Sequence, residues 1–127
     1  MLFRSQWQNI DAMLPEVSGH DCYSGSKQAV AKWMRKHAPE FAGQGIRLNA
    51  IAPGYTETAM TKAVADDPQY GEAIRQFVAS IPMQRAGSPE DMADAAEFLL
   101  SDKASFVAGS MLYIDGGHDA MFRPKSI

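Results

Sequence analysis

Two short, mostly apolar runs set the limits on how this chain folds: Ile46–Ala52, leading into Pro53-Gly54, and Ser110–Ile114, leading into Asp115-Gly116-Gly117. Each is brief and bounded by glycine, the pattern of a parallel strand buried on both faces. Helical patterns lie before and between them, so the order reads helix, strand, lid, helix, strand. That is an α/β pattern with parallel strands. Two strands are too few for a parallel sheet covered on both faces. The chain therefore reads as part of a larger sheet.

The main helix runs from Asp21 or Cys22 to about Gly43. Tyr23, Lys27, Val30, Met34, His37 and Phe41 form a narrow stripe at helical spacing, with Trp33 on its flank, and the stripe is expected to be buried. Pro39 stands inside this pattern, where it costs a hydrogen bond and favours a kink. Residues 55–80 are polar, with helical patches at Ala59–Ala65 and Tyr70–Ala79 separated by Asp66-Asp67-Pro68, and read as a lid. Ser88-Pro89-Glu90-Asp91 is a strong helix start, with serine as N-cap, proline first and acids in the first turn. Met92, Ala95, Ala96, Leu99 and Leu100 give that helix its expected buried face. Residues 1–22 suggest a short helix ending near Pro15 and a turn at Ser18–Asp21, and the tail from His118 to Ile127 reads as surface or interface.

Composition narrows the function by exclusion. A net charge of −3 without a run of either sign argues against nucleic acid as a partner. No apolar stretch reaches the roughly 18 residues of a membrane span, and Met1–Gln8 has no signal-like apolar core. A single cysteine, Cys22, precludes an internal disulfide and fits a cytoplasmic setting. No metal is expected, because His20, Cys22, His37 and His118 lack ligand spacing. Glu90, Asp91 and Asp94 read as helix-start chemistry rather than a catalytic dyad.

One pair of residues carries chemistry. Tyr23 and Lys27, in Tyr23-Ser24-Gly25-Ser26-Lys27, are four apart and fall on one helix face. An ammonium beside a phenol favours the phenolate, and a tyrosine tuned toward neutrality can give or take a proton at a carbonyl or alcohol. A bare Tyr-x-x-x-Lys is common on solvated helices. Its context gives it weight.

The segments Tyr23–Lys27, Gly45-Ile46-Arg47-Leu48-Asn49, Pro53-Gly54-Tyr55-Thr56-Glu57-Thr58, Arg85-Ala86-Gly87-Ser88-Pro89-Glu90-Asp91 and Ile114-Asp115-Gly116-Gly117 stand in one order. In that order the chain resembles the C-terminal half of short-chain dehydrogenases/reductases over roughly residues 22–117. Through Pro53–Thr58, Asp67-Pro68-Gln69-Tyr70-Gly71-Glu72 and Asp115–Pro124 it is most similar to their bacterial 3α-hydroxysteroid dehydrogenase/carbonyl reductase branch. The resemblance implies the C-terminal part of a doubly wound, Rossmann-type parallel-sheet domain without its N-terminal βαβ units. Residues 1–22 would precede the catalytic helix, and 23–127 would form the half-domain, with a lid over 55–80.

It also implies roles. Tyr23 would be the general acid/base, and Lys27 would lower its pKa and bind the nicotinamide ribose. Pro53, Gly54, Thr56 and Thr58 would flank the nicotinamide, with Tyr55 and Met60 in the substrate pocket. The cofactor would be NAD or NADP, the substrate a small carbonyl or secondary alcohol such as a 3α-hydroxysteroid, and the assembly a homo-oligomer. The chain departs from the family in three ways. It has no G-x-x-x-G-x-G or G-x-G-x-x-G loop for a pyrophosphate, and no asparagine-rich turn. Asn9, Ile10 and Asp11, rather than a serine, stand a dozen residues before Tyr23, and Ser5 and Ser18 are off that spacing. With the cofactor site incomplete, little or no turnover is expected from the chain by itself. The alternative is a non-catalytic module that pairs its open strand edge with another chain.

Overall fold

The computed structural model describes residues 19–125. The expected helix near Pro15 and the positions considered for a serine, Ser5, Ser18 and Asn9–Asp11, lie outside the described residues. Helix α1 spans Gly19–Gly43, strand β1 Ala50–Pro53, α2 Ala59–Ala65, α3 Gly71–Ser80 and α4 Pro89–Leu100. A 3₁₀ turn at Asp102–Ala104, strand β2 at Met111–Ile114 and helix α5 at His118–Phe122 complete the described elements.

β1 and β2 pair in parallel, in the register Ala50↔Met111 to Pro53↔Ile114. Paired strand begins at Ala50, later than the sequence reading of Ile46, because the Asn49 side chain takes over the ladder there. Its Nδ2 donates to the Val107 carbonyl at 2.8 Å, and its Oδ1 accepts from the Ser110 N–H at 3.0 Å. Just before it, the Arg47 guanidinium donates to the carbonyls of Leu99, Ala104 and Ser101 at 2.6, 2.9 and 3.2 Å. The Ser101 and Ala104 carbonyls also accept backbone N–H groups, from Ala104 at 3.1 Å and Val107 at 2.9 Å, so Arg47 adds a second donor to each and serves the Leu99 carbonyl at the end of α4. Arg47 thereby ties the far end of α4 to the entry of β1.

Helix α4 starts as its sequence demands. Ser88 Oγ accepts from the Asp91 N–H and the Asp91 carboxylate accepts from the Ser88 N–H, with Pro89 at the first position. The helix packs on both strands and buries Leu99, with Met92, Ala95 and Ala96 half-buried. Leu100 does not join them and is 83% exposed. It lies about 100° round the helix from Leu99, off the stripe that meets the sheet.

Two expectations of burial are corrected. The strands are half-buried rather than enclosed, and Leu112 and Tyr113 of β2 are exposed. On the α1 stripe only Met34 is buried, at 3%, with His37 and Phe41 half-buried, while Tyr23 is 64% and Val30 62% exposed. Length explains the second. A helix of 25 residues is about 37 Å long, whereas strands of four residues run about 13 Å. Met34 and Ala38 reach the core and Arg35 donates to the Gly109 carbonyl at 2.9 Å, while the first half of the helix has no buried residue among those described. Pro39 is accommodated without ending the helix.

The two helical patches read within residues 55–80 form, at Ala59–Ala65 and Gly71–Ser80. Thr58 caps α2 in a reciprocal arrangement with Thr61. Asp67 Oδ1 accepts from the N–H groups of Gln69 and Tyr70, making the break an Asx turn. Gly71 follows because a Cβ there would collide with the Ala65 carbonyl oxygen. Ile81 closes α3 into the core at 2% exposure.

Candidate active site

Tyr23 and Lys27 face one another on the first half of α1. The Lys27 ammonium lies 5.4 Å from the centre of the Tyr23 ring, over its face, a cation–π distance. Ser26 Oγ donates to the Tyr23 carbonyl at 2.8 Å. The pair is open to solvent, not sunk in a cleft floor.

The second part is the turn at the C-terminal end of β1. Gly54 N–H donates to the Ile114 carbonyl at 2.9 Å, extending the ladder one residue beyond the strand. A Cβ on Gly54 would stand 2.7 Å from both Cα and Cβ of Asp115, so only glycine lets the two strand ends touch. Thr56 Oγ1 donates to the Gly54 carbonyl at 3.1 Å and stiffens the turn. A parallel bridge between Thr56 and Gly87 then ties the turn to the segment before α4, through Glu57 N–H to Gly87 carbonyl and Gly87 N–H to Tyr55 carbonyl. Thr58 serves as the cap of α2.

Tyr55 stands between two cavities. The smaller, about 280 Å³, lies against the end of β2 among Ile81, Met83, Met92, Tyr113 and Ile114. Its polar rim is the Arg85–Asp91 pair, joined at 2.7 and 3.2 Å. That guanidinium, with the Ser88 N–H, holds the Asp91 carboxyl well below the usual carboxylate range. The larger cavity, about 530 Å³, is walled by Tyr55, Ala65, Ile74, Val78 and Ala86, with Glu57, Arg75 and Gln84 as polar groups. Gln84 has a φ of 53°, a left-handed conformation that non-glycine residues seldom hold.

Of the residues read from sequence, the structure brings Pro53, Gly54, Tyr55, Thr56 and Thr58 into one turn. Tyr55 lines both cavities. Met60, on α2, lines neither and is 76% exposed. Tyr23 and Lys27 line neither cavity and stand together on α1. Sequence reasoning placed Asp115 at the end of the last strand but missed its work there: Oδ1 accepts from the Gly117 N–H at 2.9 Å and Oδ2 from the Asp119 N–H at 2.7 Å, starting α5. An aspartate followed by two glycines was the available signal. It also missed the contact of Phe77 with His118, whose rings meet only through the fold. Among the described residues no group of three or more His, Cys, Asp or Glu is placed to hold a metal, and no helix is long and apolar enough to cross a membrane.

Comparison with known proteins places the chain in a family. The family model described as "Enoyl-(Acyl carrier protein) reductase" matches residues 9–119. The chain is 47% identical over 109 residues to 3-alpha-hydroxysteroid dehydrogenase/carbonyl reductase of Comamonas testosteroni, covering 86% of this chain and 42% of that protein. It is 44% identical over 96 residues to galactitol 2-dehydrogenase (L-tagatose-forming) of Cereibacter sphaeroides, covering 76% of this chain and 37% of that protein. It superposes on the 3-alpha-hydroxysteroid dehydrogenase of Pseudomonas sp. B-0831, solved with NADH, with a TM-score of 0.76 and 43% identity over 89% of this chain and 44% of that one. An Agrobacterium tumefaciens dehydrogenase with bound NADP gives a TM-score of 0.67 and 43% identity over 76% of this chain and 38% of that one. The chain spans less than half the length of these relatives. Its two parallel strands and flanking helices are the C-terminal part of a doubly wound Rossmann-type domain.

Proposed function

Because the chain belongs to the short-chain dehydrogenase/reductase family, we propose that it carries the acid/base centre of an NAD(P)-dependent oxidoreductase interconverting a carbonyl and a secondary alcohol. The observation that carries the reading is the Tyr23–Lys27 pair, phenol and ammonium held together on one helix face. In this reading Tyr23 Oη gives a proton to the substrate oxygen in reduction and takes it in oxidation. The Lys27 ammonium steadies the negative charge left on that phenol and offers donors to a ribose hydroxyl.

A nicotinamide cofactor, when bound, would supply or accept the hydride. The residues present fit one end of it. Lys27, the Thr56 and Thr58 hydroxyls and the Pro53-Gly54 turn are suited to a ribose and a carboxamide. The pyrophosphate is not fitted. The glycines in close contact, Gly54, Gly71, Gly87, Gly109 and Gly116, serve strand ends and turns rather than a strand-to-helix phosphate loop. NAD and NADP are equally compatible with these residues. Tyr55 and Met60, with the lid of residues 55–80, would face the substrate. A 3α-hydroxysteroid is the finer proposal, supported by the name of the Comamonas relative and by a cavity of about 530 Å³ beside Tyr55 with apolar walls at Ala65, Ile74 and Val78. A cytoplasmic homo-oligomer is the setting we favour, on the single cysteine and the exposed apolar side chains of α1 and β2.

A second reading rests on a separate observation. β1 pairs with β2 along one edge, and among the described residues its other edge has no strand partner. The chain would then be a non-catalytic module that pairs with another chain. One experiment separates the two. NAD(P)-linked turnover of ketones and secondary alcohols is followed for the chain, alone or mixed with a candidate partner chain, with the native protein and the Tyr23→Phe variant side by side. Turnover that Tyr23→Phe abolishes supports the first reading; turnover that survives it contradicts the assignment.

A further inference from the structure

We propose that His118 is a positioning residue for the wall of the larger cavity: its ring holds Phe77, and through Phe77 the ring of Tyr55. The proposal rests on the reading above that Tyr55 stands on the substrate side. Four rings form a chain across three separate segments. Tyr55 meets Phe77 edge-to-face with centroids 5.8 Å apart and an interplanar angle of 71°. Phe77 meets His118 in the same way at 5.2 Å and 75°, and His118 meets Phe122 at 4.9 Å. Both ends of the run hang from one point. Gly54, beside Tyr55, packs directly on Asp115, and the Asp115 carboxylate caps the helix that carries His118. Gly54, Asp115, His118, Phe77 and Tyr55 thus close a circuit.

Helix α3 is what the circuit holds. Ile74 and Val78, one turn apart, wall the cavity, while Phe77 turns away from it toward Tyr55 and His118. The grip on Phe77 therefore sets how α3 is rotated, and so how much room the cavity offers. The His118 ring works here as an apolar plate: its Nε2 is buried and has no hydrogen-bond partner. A phenylalanine in its place should serve equally well, and an alanine should not.

Amide hydrogen exchange tests this on the chain as it stands. His118→Ala should speed exchange in Gly71–Ser80 about tenfold, the loss expected of edge-to-face ring contacts, while α1 and α4 exchange as before. His118→Phe should return α3 to within about twofold of the native rate. In a Phe77→Ala background, His118→Ala should add nothing further. The proposal is overturned if His118→Ala leaves α3 unchanged, if it speeds all helices alike, if His118→Phe fails to restore the native rate, or if the two alanine effects simply add. Should His118→Ala not fold, the His118→Phe comparison still decides. These rates do not depend on cofactor binding or turnover, so failure of the proposed function would leave them as they are.

Discussion

A side chain of any size at position 54 would stand 2.7 Å from Cα and Cβ of Asp115. Gly54→Ala must therefore push apart the ends of β1 and β2 or break the Gly54 N–H to Ile114 carbonyl bond of 2.9 Å. The expected cost is about 1–3 kcal/mol, typical of overpacking at a rigid contact. Urea unfolding measures it. Because Asp115 also caps α5, exchange of the 117–122 amides should rise in the same variant.

Arg47 satisfies three carbonyls from a half-buried position. Arg47→Ala should cost about 2–3 kcal/mol, since a charged donor contributes more than a neutral one and three of its hydrogen bonds are lost together. Arg47→Lys should recover part of this, because an ammonium reaches fewer acceptors than the planar guanidinium. Equal stability of Arg47→Ala and native protein would contradict the account of how α4 is anchored.

Asp91 ties stability to pH. Arg85 and the Ser88 N–H hold its carboxyl below the usual carboxylate range, so on acidification the unfolded chain takes up a proton that the folded chain refuses. Its contribution is complete above the ordinary aspartate value of about 4 and is lost as pH falls below it toward the folded value. Unfolding midpoints measured from about pH 6 down to about pH 2 should fall less steeply for Asp91→Asn than for native protein. Parallel curves would contradict the pairing.

Tyr23 is largely exposed, and its ring contact is with Lys27 on the helix surface. Tyr23→Phe should then shift stability by no more than about 0.5 kcal/mol. A thermal unfolding curve that moves well beyond that would give Tyr23 a packing role and weaken the case that it is there for chemistry.

What was legible in the sequence was what local chemistry decides. Ser88-Pro89 and Asp67-Pro68 announced a cap and a break, and both formed, because each is satisfied within a few residues. The Tyr23–Lys27 juxtaposition follows from helix periodicity alone. Burial was less legible. The α1 stripe from Tyr23 to Val30 read as core by its helical spacing and β2 by its short apolar run, yet both stay open in a structure whose sheet is packed by α4. Long-range partners were not legible at all. Arg47 meets residues more than fifty positions away, and Phe77 meets His118 from a separate helix. The left-handed Gln84 likewise carries no local signal, as it is not a glycine.

The central claim, that Tyr23, Lys27 and the Pro53–Thr58 turn receive the nicotinamide end of a cofactor, has a direct test. Amide and side-chain resonances of the chain are followed by NMR during titration with reduced nicotinamide mononucleotide, and then with NADH and NADPH. Shifts at residues 23–27 and 53–58, similar in extent for the mononucleotide and the dinucleotides and lost in Lys27→Ala, are the predicted result. No shifts at millimolar ligand, shifts confined to other residues, or an unchanged titration in Lys27→Ala would contradict it.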